Sequence, residues 1–127
     1  MGVNFIPPLF LRIGGNILSI RYRKLCADDL SVFIRMRLDQ LLEEGAEPSI
    51  DLEPHLWEYY IKHLNDNTFV SWLAIERDRI VGTSGISFVE KPPYYSCPSG
   101  KIGLLSSMYT IKEYRRQGIA KTLLDKV

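Results

Sequence analysis

The residues Arg115-Arg116-Gln117-Gly118-Ile119-Ala120, with Lys121 directly behind them, combine the types that a phosphate-bearing ligand requires. Upstream, Met108-Tyr109-Thr110 reads as the end of a strand; downstream, Leu123, Leu124 and Val127 mark one face of a helix that should begin near Gly118. The basic run therefore lies where strand turns into helix. The first turn of a helix leaves about four N–H groups without intrahelical partners, and the aligned peptide dipoles concentrate positive partial charge there. Gly118 and Ala120 leave that backbone open to approaching oxygens, while Arg115, Arg116 and Lys121 add charge around it. The chemistry these residues suit is the holding of a diphosphate by main-chain amides. A solvated basic loop is the plainer reading of so short a run, and the small residues at 118 and 120 argue against it. A nucleotide P-loop does not fit, because Ala120 stands before Lys121 where the Gly-Lys-Thr core needs glycine.

Other candidates carry less. His55 and His63 are eight positions apart on one helical stretch, which separates them too far for a metal-binding pair, and they read as surface residues. Cys26 and Cys97 match neither a disulfide scaffold nor a zinc spacing, so no metal is expected and a reduced, cytoplasmic setting is the default. Ser106 and Ser107 lack a histidine and acid at any telling spacing. Glu43, Glu44, Glu47, Asp51 and Glu53 form an acidic run that reads first as a solvated loop and second as a place for a cationic amine. Trp57, Tyr59, Tyr60 and Trp72 read first as core and second as the lining of an acceptor pocket. Spacing alone names no general base, Glu90 and Glu113 being merely the nearest carboxylates to the basic turn.

The elements that must position the basic turn are legible as well. Ser19-Ile20-Arg21-Tyr22-Arg23 alternates as a half-buried strand does. Asp28 and Asp29 then precede Leu30, Phe33, Ile34, Leu38, Leu41 and Leu42 at helical spacing, with Gly45 as a stop. Pro54 opens a second helix, with Leu56, Tyr60, Ile61 and Leu64 on one face and Asn65-Asp66-Asn67 at its close. Strands are expected over residues 69–75, 80–89 and 102–110, the first two joined by the turn Arg77-Asp78-Arg79, with Gly82 and Gly85 inside the second. A proline-rich loop from Glu90 to Lys101 separates the last two. The order β-α-α-β-β-β-α predicts an α/β sandwich with a mixed, mostly antiparallel sheet.

Composition sets the outer bounds. With 127 residues, 46% of them hydrophobic and 24% charged, the chain has the balance of one ordinary globular domain. A formal net charge of +1 creates no field that would gather nucleic acid, so an anion must be held locally. No stretch is apolar for the roughly 18 to 20 residues a membrane span needs. The segment 1–18 is poor in charge and broken by proline and glycine; it reads as a leader of unassigned role, with no small-residue cleavage pattern behind it.

The run Arg115-Arg116-Gln117-Gly118-Ile119-Ala120 resembles the Q/R-x-x-G-x-G/A signature of the GNAT acetyltransferases. The likeness extends to the strand end Met108-Tyr109-Thr110, to Ile80-Val81-Gly82 and to the opening strand and helix, covering about residues 19–127. It implies a GNAT-like sandwich that binds acetyl-coenzyme A and passes its acetyl group directly to a small-molecule or protein amine. It further implies that the backbone of Met108, Tyr109 and Thr110 bonds the pantetheine arm, with an N–H near Met108 polarising the thioester carbonyl. Arg115, Arg116, Gln117, Gly118, Ile119, Ala120 and Lys121 would form the phosphate cradle. The family continues through a fifth strand, a fourth helix and usually two more strands, whereas this sequence stops nine residues after Gly118. From this follow two expectations: a fourth strand with an open edge that could pair with a second copy, and a final helix whose Leu123, Leu124 and Val127 are poorly covered. The alternative to an active enzyme is a truncated domain that binds coenzyme A or a protein and transfers nothing.

Overall fold

The computed structural model describes the backbone of Leu9–Ile13 and of residues 16–127, and side chains from residue 19 onward. Of the segment read as a leader, residues 1–8 and 14–15 lie outside the described residues. The elements run β1 (Leu9–Ile13), β2 (Asn16–Lys24), α1 (Leu30–Glu43), α2 (Glu53–Asn65), β3 (Phe69–Val70), β4 (Trp72–Glu76), β5 (Arg79–Thr83), β6 (Ile86–Glu90), β7 (Lys101–Leu105), β8 (Tyr109–Thr110) and α3 (Ile119–Lys126). This is the expected α/β sandwich of mixed order. The alternation in the opening strand holds, since Ile20 and Tyr22 are buried and Arg21 and Arg23 exposed. The strand begins at Asn16, earlier than Ser19, and pairs antiparallel with β1.

The three long strands expected after the helices are each divided in two. β3 and β4 part at Ser71, β5 and β6 at Ser84-Gly85, and β7 and β8 at residues 106–108. One sheet has the order β1-β2-β4-β5-β8, the other β3-β6-β7. Hydroxyls make the first two breaks possible by replacing ladder bonds. The Ser84 hydroxyl accepts from the Trp72 N–H at 3.0 Å and bonds the Trp72 carbonyl at 2.9 Å, and the Ser71 hydroxyl donates to the Ser84 carbonyl. The buried backbone groups thus remain satisfied where the strands bend.

Helices cover both faces of the larger sheet. On one face α1 and α2 bring Leu30, Phe33, Ile34 and Tyr60 onto Phe69, Leu73 and Ile75. On the other, Ile119 and Leu123 of α3 pack with Ile20, Tyr22, Ala74 and Val81. Small residues set that second spacing: a Cβ on Gly82 would come within 3.0 Å of Ile119 and 3.1 Å of Leu123. Leu123 is fully buried in consequence, contrary to the expected poor cover, while Leu124 remains exposed. Leu42 and Ile61, counted among the apolar faces of the first two helices, are also exposed. The apolar stripes are narrower than the periodicity suggested, because each helix touches the core along one line. Of the four aromatics read as core, Tyr60 is buried, Trp57 and Trp72 are half-buried, and Tyr59 lies at the surface.

Local chemistry closes the elements as anticipated. Gly45, with φ of +90°, ends α1 with the Ala46 N–H bonded back to the Leu41 carbonyl. The β4–β5 hairpin turns at Arg77 and Asp78, both in left-handed conformation, which a two-residue hairpin favours because it matches the strand twist.

Candidate functional site

β8 lies at the edge of the larger sheet and leads through the turn Lys112–Tyr114 into Arg115 and α3. Its pairing fixes which backbone groups look outward. Tyr109 stands opposite Thr83, and the Ile111 N–H donates to the Val81 carbonyl at 3.0 Å. By the alternation of an antiparallel ladder, Met108 and Thr110 then turn their main-chain groups away from β5. Both outward carbonyls are taken. Gln40, buried on α1, donates from Nε2 to the Met108 carbonyl at 3.1 Å, and Arg115 Nε donates to the Thr110 carbonyl at 2.7 Å. The Met108 N–H has no acceptor among the described residues.

The Ser107-Met108 junction is irregular for a physical reason. Ser107 has φ of +55°, and its carbonyl turns inward to accept the buried Thr83 hydroxyl at 2.7 Å. Its own hydroxyl lies 3.5 Å from that of Tyr60.

The second part of the site is the run from Arg116 to Lys121. Arg116 and Gly118 both adopt positive φ, +64° and +80°, so the chain turns sharply just before the helix. The first amide of α3 to bond within the helix is that of Thr122, which donates to Gly118 O at 3.0 Å. Among the described residues, none of the amides from Arg116 to Lys121 donates to a protein acceptor. A Cβ on Gly118 would meet nothing within 4 Å, so the space above these amides is open. Arg116, Gly118, Ala120 and Lys121 are exposed, Gln117 is half-buried, and Ile119 turns inward and anchors the helix.

Arg115 has a different place from the other cations. Its guanidinium bonds Glu43 on α1 at 2.7 Å and lies over the Tyr109 ring, while the Tyr109 hydroxyl donates to the other Glu43 oxygen at 2.9 Å. The Arg115 bond, followed by the Tyr109 hydroxyl, holds the Glu43 carboxyl below its usual range. Burial, then the neighbouring Glu43 charge, pushes the Tyr109 phenol up. An open cleft of about 260 Å³ lies among Gln40, Glu43, Glu44, Met108, Tyr109, Thr110 and Arg115.

The chain thus brings together the two parts read from the sequence, the edge strand 108–110 and the turn 115–121. It also adds two residues that the sequence reading did not name, Gln40 and Thr83, and turns Glu43 of the acidic run to Arg115. Gln40 and Thr83 carried a weak signal, as polar residues within apolar patterns; only the fold could show what they touch. The acidic run does not converge as a set. Glu43 and Glu44 bond Arg115 and Gln40 respectively, and Asp51 accepts from the Glu53 N–H at the start of α2. His63 bonds Thr68 and stacks against Tyr59, His55 is exposed, and no group of three or more potential metal ligands occurs among the described residues.

Comparison with known proteins points to one family. Residues 36–127 match the model of the Acetyltransferase (GNAT) family. A predicted acetyltransferase of Clostridium acetobutylicum, crystallised with acetyl-CoA, is 37% identical over 84% of this chain and 70% of its own, with a TM-score of 0.82. A GNAT-family acetyltransferase of Staphylococcus aureus is 28% identical over 85% of this chain and 63% of its own, with a TM-score of 0.64. An aminoglycoside acetyltransferase from an uncultured soil metagenome, crystallised with sisomicin, is 29% identical over 84% and 66%, with a TM-score of 0.60. No curated protein matches the chain.

Proposed function

The chain belongs to the GNAT acetyltransferase family, and from that premise we propose that it binds acetyl-coenzyme A along β8 and the turn into α3 and passes the acetyl group to a primary amine. The observation that carries this reading is the run of amides from Arg116 to Lys121 without acceptors among the described residues, opening onto clear space at Gly118. Those of Gln117, Gly118, Ile119, Ala120 and Lys121 take the pyrophosphate, helped by the charges of Arg116 and Lys121 and by the helix dipole. Arg115 ties the end of β8 to α1 through its ion pair with Glu43. The outward N–H groups of Met108 and Thr110, with Tyr109 between them, lie against the pantetheine arm.

The transfer itself is a direct displacement. The amine lone pair attacks the thioester carbon, the carbonyl electrons move onto oxygen, and collapse of that adduct breaks the C–S bond, so coenzyme A leaves as a thiolate and takes up the proton that the amine nitrogen loses. The Met108 N–H stabilises the oxyanion; oriented donors of this kind are worth about 3 to 4 kcal/mol in other enzymes. Placement of the two substrates supplies much of the remaining rate. The acidic residues Glu47 and Asp51, exposed between α1 and α2, favour a cationic acceptor, and the sisomicin complex of the metagenomic relative supports an amine. No helix of the described residues is long and apolar enough to cross a membrane. The free thiols of Cys26 and Cys97 suit a reducing, cytoplasmic setting. Without ligand, the β8 edge offers its outward amides to a second copy of the chain, so sedimentation should show self-association that acetyl-coenzyme A suppresses.

The test is a calorimetric titration with acetyl-coenzyme A, repeated with Gly118→Glu. The new carboxylate projects into the phosphate space, so saturable binding by the native chain should weaken more than tenfold in the variant, a cost above about 1.4 kcal/mol. Gly118→Ala controls for backbone strain alone. Equal affinity in Gly118→Glu would place the ligand elsewhere.

A further inference from the structure

We propose that Thr83 is a positioning residue for acetyl transfer, acting through the peptide group that joins Ser107 to Met108. The inference rests on the reading of Met108 as the donor to the thioester carbonyl. Thr83 sits on β5, 3% exposed, and its hydroxyl donates to the Ser107 carbonyl at 2.7 Å. That carbonyl and the Met108 N–H belong to one planar trans peptide, so they point in opposite directions. An oxygen held inward by Thr83 therefore aims the Met108 N–H outward, over the open edge.

The surroundings leave this task to Thr83. Ser107 is in the left-handed region, a conformation that a serine holds only when its neighbours over-determine it. The Tyr60 hydroxyl, at 3.5 Å from the Ser107 hydroxyl, is too distant to hold the residue firmly. Gln40 fixes the following peptide by its bond to the Met108 carbonyl, so the two peptides flanking the Met108 Cα are held by separate side chains. A hydrogen bond at a peptide oxygen also draws electron density from the nitrogen and strengthens the N–H as a donor. Thr83 thus sets both the direction and the strength of the outward donor without touching the substrate.

The experiment needs only the first substrate. The probe is acetyl-coenzyme A labelled with ¹³C at the thioester carbonyl, bound to the full chain and followed by isotope-edited infrared spectroscopy. The carbonyl band should move to lower wavenumber on the native protein and on Thr83→Ser, which keeps the hydroxyl. On Thr83→Val, of nearly the same shape, that displacement should be largely lost while the calorimetric affinity changes by less than about threefold. Thr83→Cys, with a weak donor, should give an intermediate band and serves if the valine variant does not fold. Tight binding to Thr83→Val with the native band position would overturn the proposal. A native complex whose band is not displaced would overturn both it and the role of Met108, and failure of the native chain to bind would instead remove the cofactor assignment on which both stand.

Discussion

Two regions of this molecule interrupt strand pairing, and they treat the freed backbone in opposite ways. At Ser71 and Ser84 the break is sealed: serine hydroxyls replace the ladder bonds to Trp72, and both serines are buried. From Met108 to Lys121 the break is left open, with outward amides along the edge strand and at the start of α3 that meet no acceptor among the described residues. A buried break must be satisfied internally, since an unpaired buried polar group costs roughly 1–3 kcal/mol. An exposed one can wait for a ligand, with water as its partner meanwhile. The same bend in the same sheet therefore serves the fold in one place and presents donors in the other.

The sharpest challenge to this contrast comes at the point where the two regions touch. Gly82 lies under α3, and Gly82→Val would drive methyl groups against Ile119 and Leu123. We expect a loss of about 2–3 kcal/mol from overpacking, read by denaturant titration, together with weaker acetyl-coenzyme A binding as the α3 amides shift. Unchanged affinity would show that the open region does not depend on this contact. Next in size is Ser84→Ala, which leaves the Trp72 amide without its hydroxyl partner. Stability should fall by about 1–2 kcal/mol in the same titration, with acetyl-coenzyme A affinity retained, because the sealed break holds the fold and not the ligand.

The smallest effect is expected at Glu43, which is exposed. The carboxyl titrates below its usual value because Arg115 bonds it, so its contribution to stability is present above the normal carboxylate range and is lost as pH falls through the lowered folded value. Glu43→Gln should therefore melt slightly below the native chain at neutral pH, and the two melting curves should converge in acid. A difference that persists in acid would mean that Glu43 acts through packing around Tyr109 and not through its charge.

Local pattern was sufficient to read much of this. The two core residues of β2, the glycine stop of α1, the proline start of α2 and the helix beginning after Gly118 all follow from short-range chemistry. So does the gathering of small and basic types at 115–121, since these residues are consecutive in the chain. What local pattern could not show is where a continuous apolar run bends. Residues 80–89 look like one strand, and the break at Ser84 becomes evident only when its hydroxyl is seen beside Trp72, twelve positions away.

Arg115 shows the same division most clearly. By type and spacing it belongs with Arg116 and Lys121, yet the fold turns it to Glu43, 72 residues earlier in the chain, and leaves the other two exposed. Neighbours along the chain were enough to set the three helices, the strand regions between them, the family and the helix start after Gly118. Where Gln40 and Thr83 would reach, one to each peptide flanking Met108, was left to the packing of α1 and β5. Hydrogen bonds of about 3 Å join residues that periodicity places merely on a helix and a strand, and no short-range rule carries that distance.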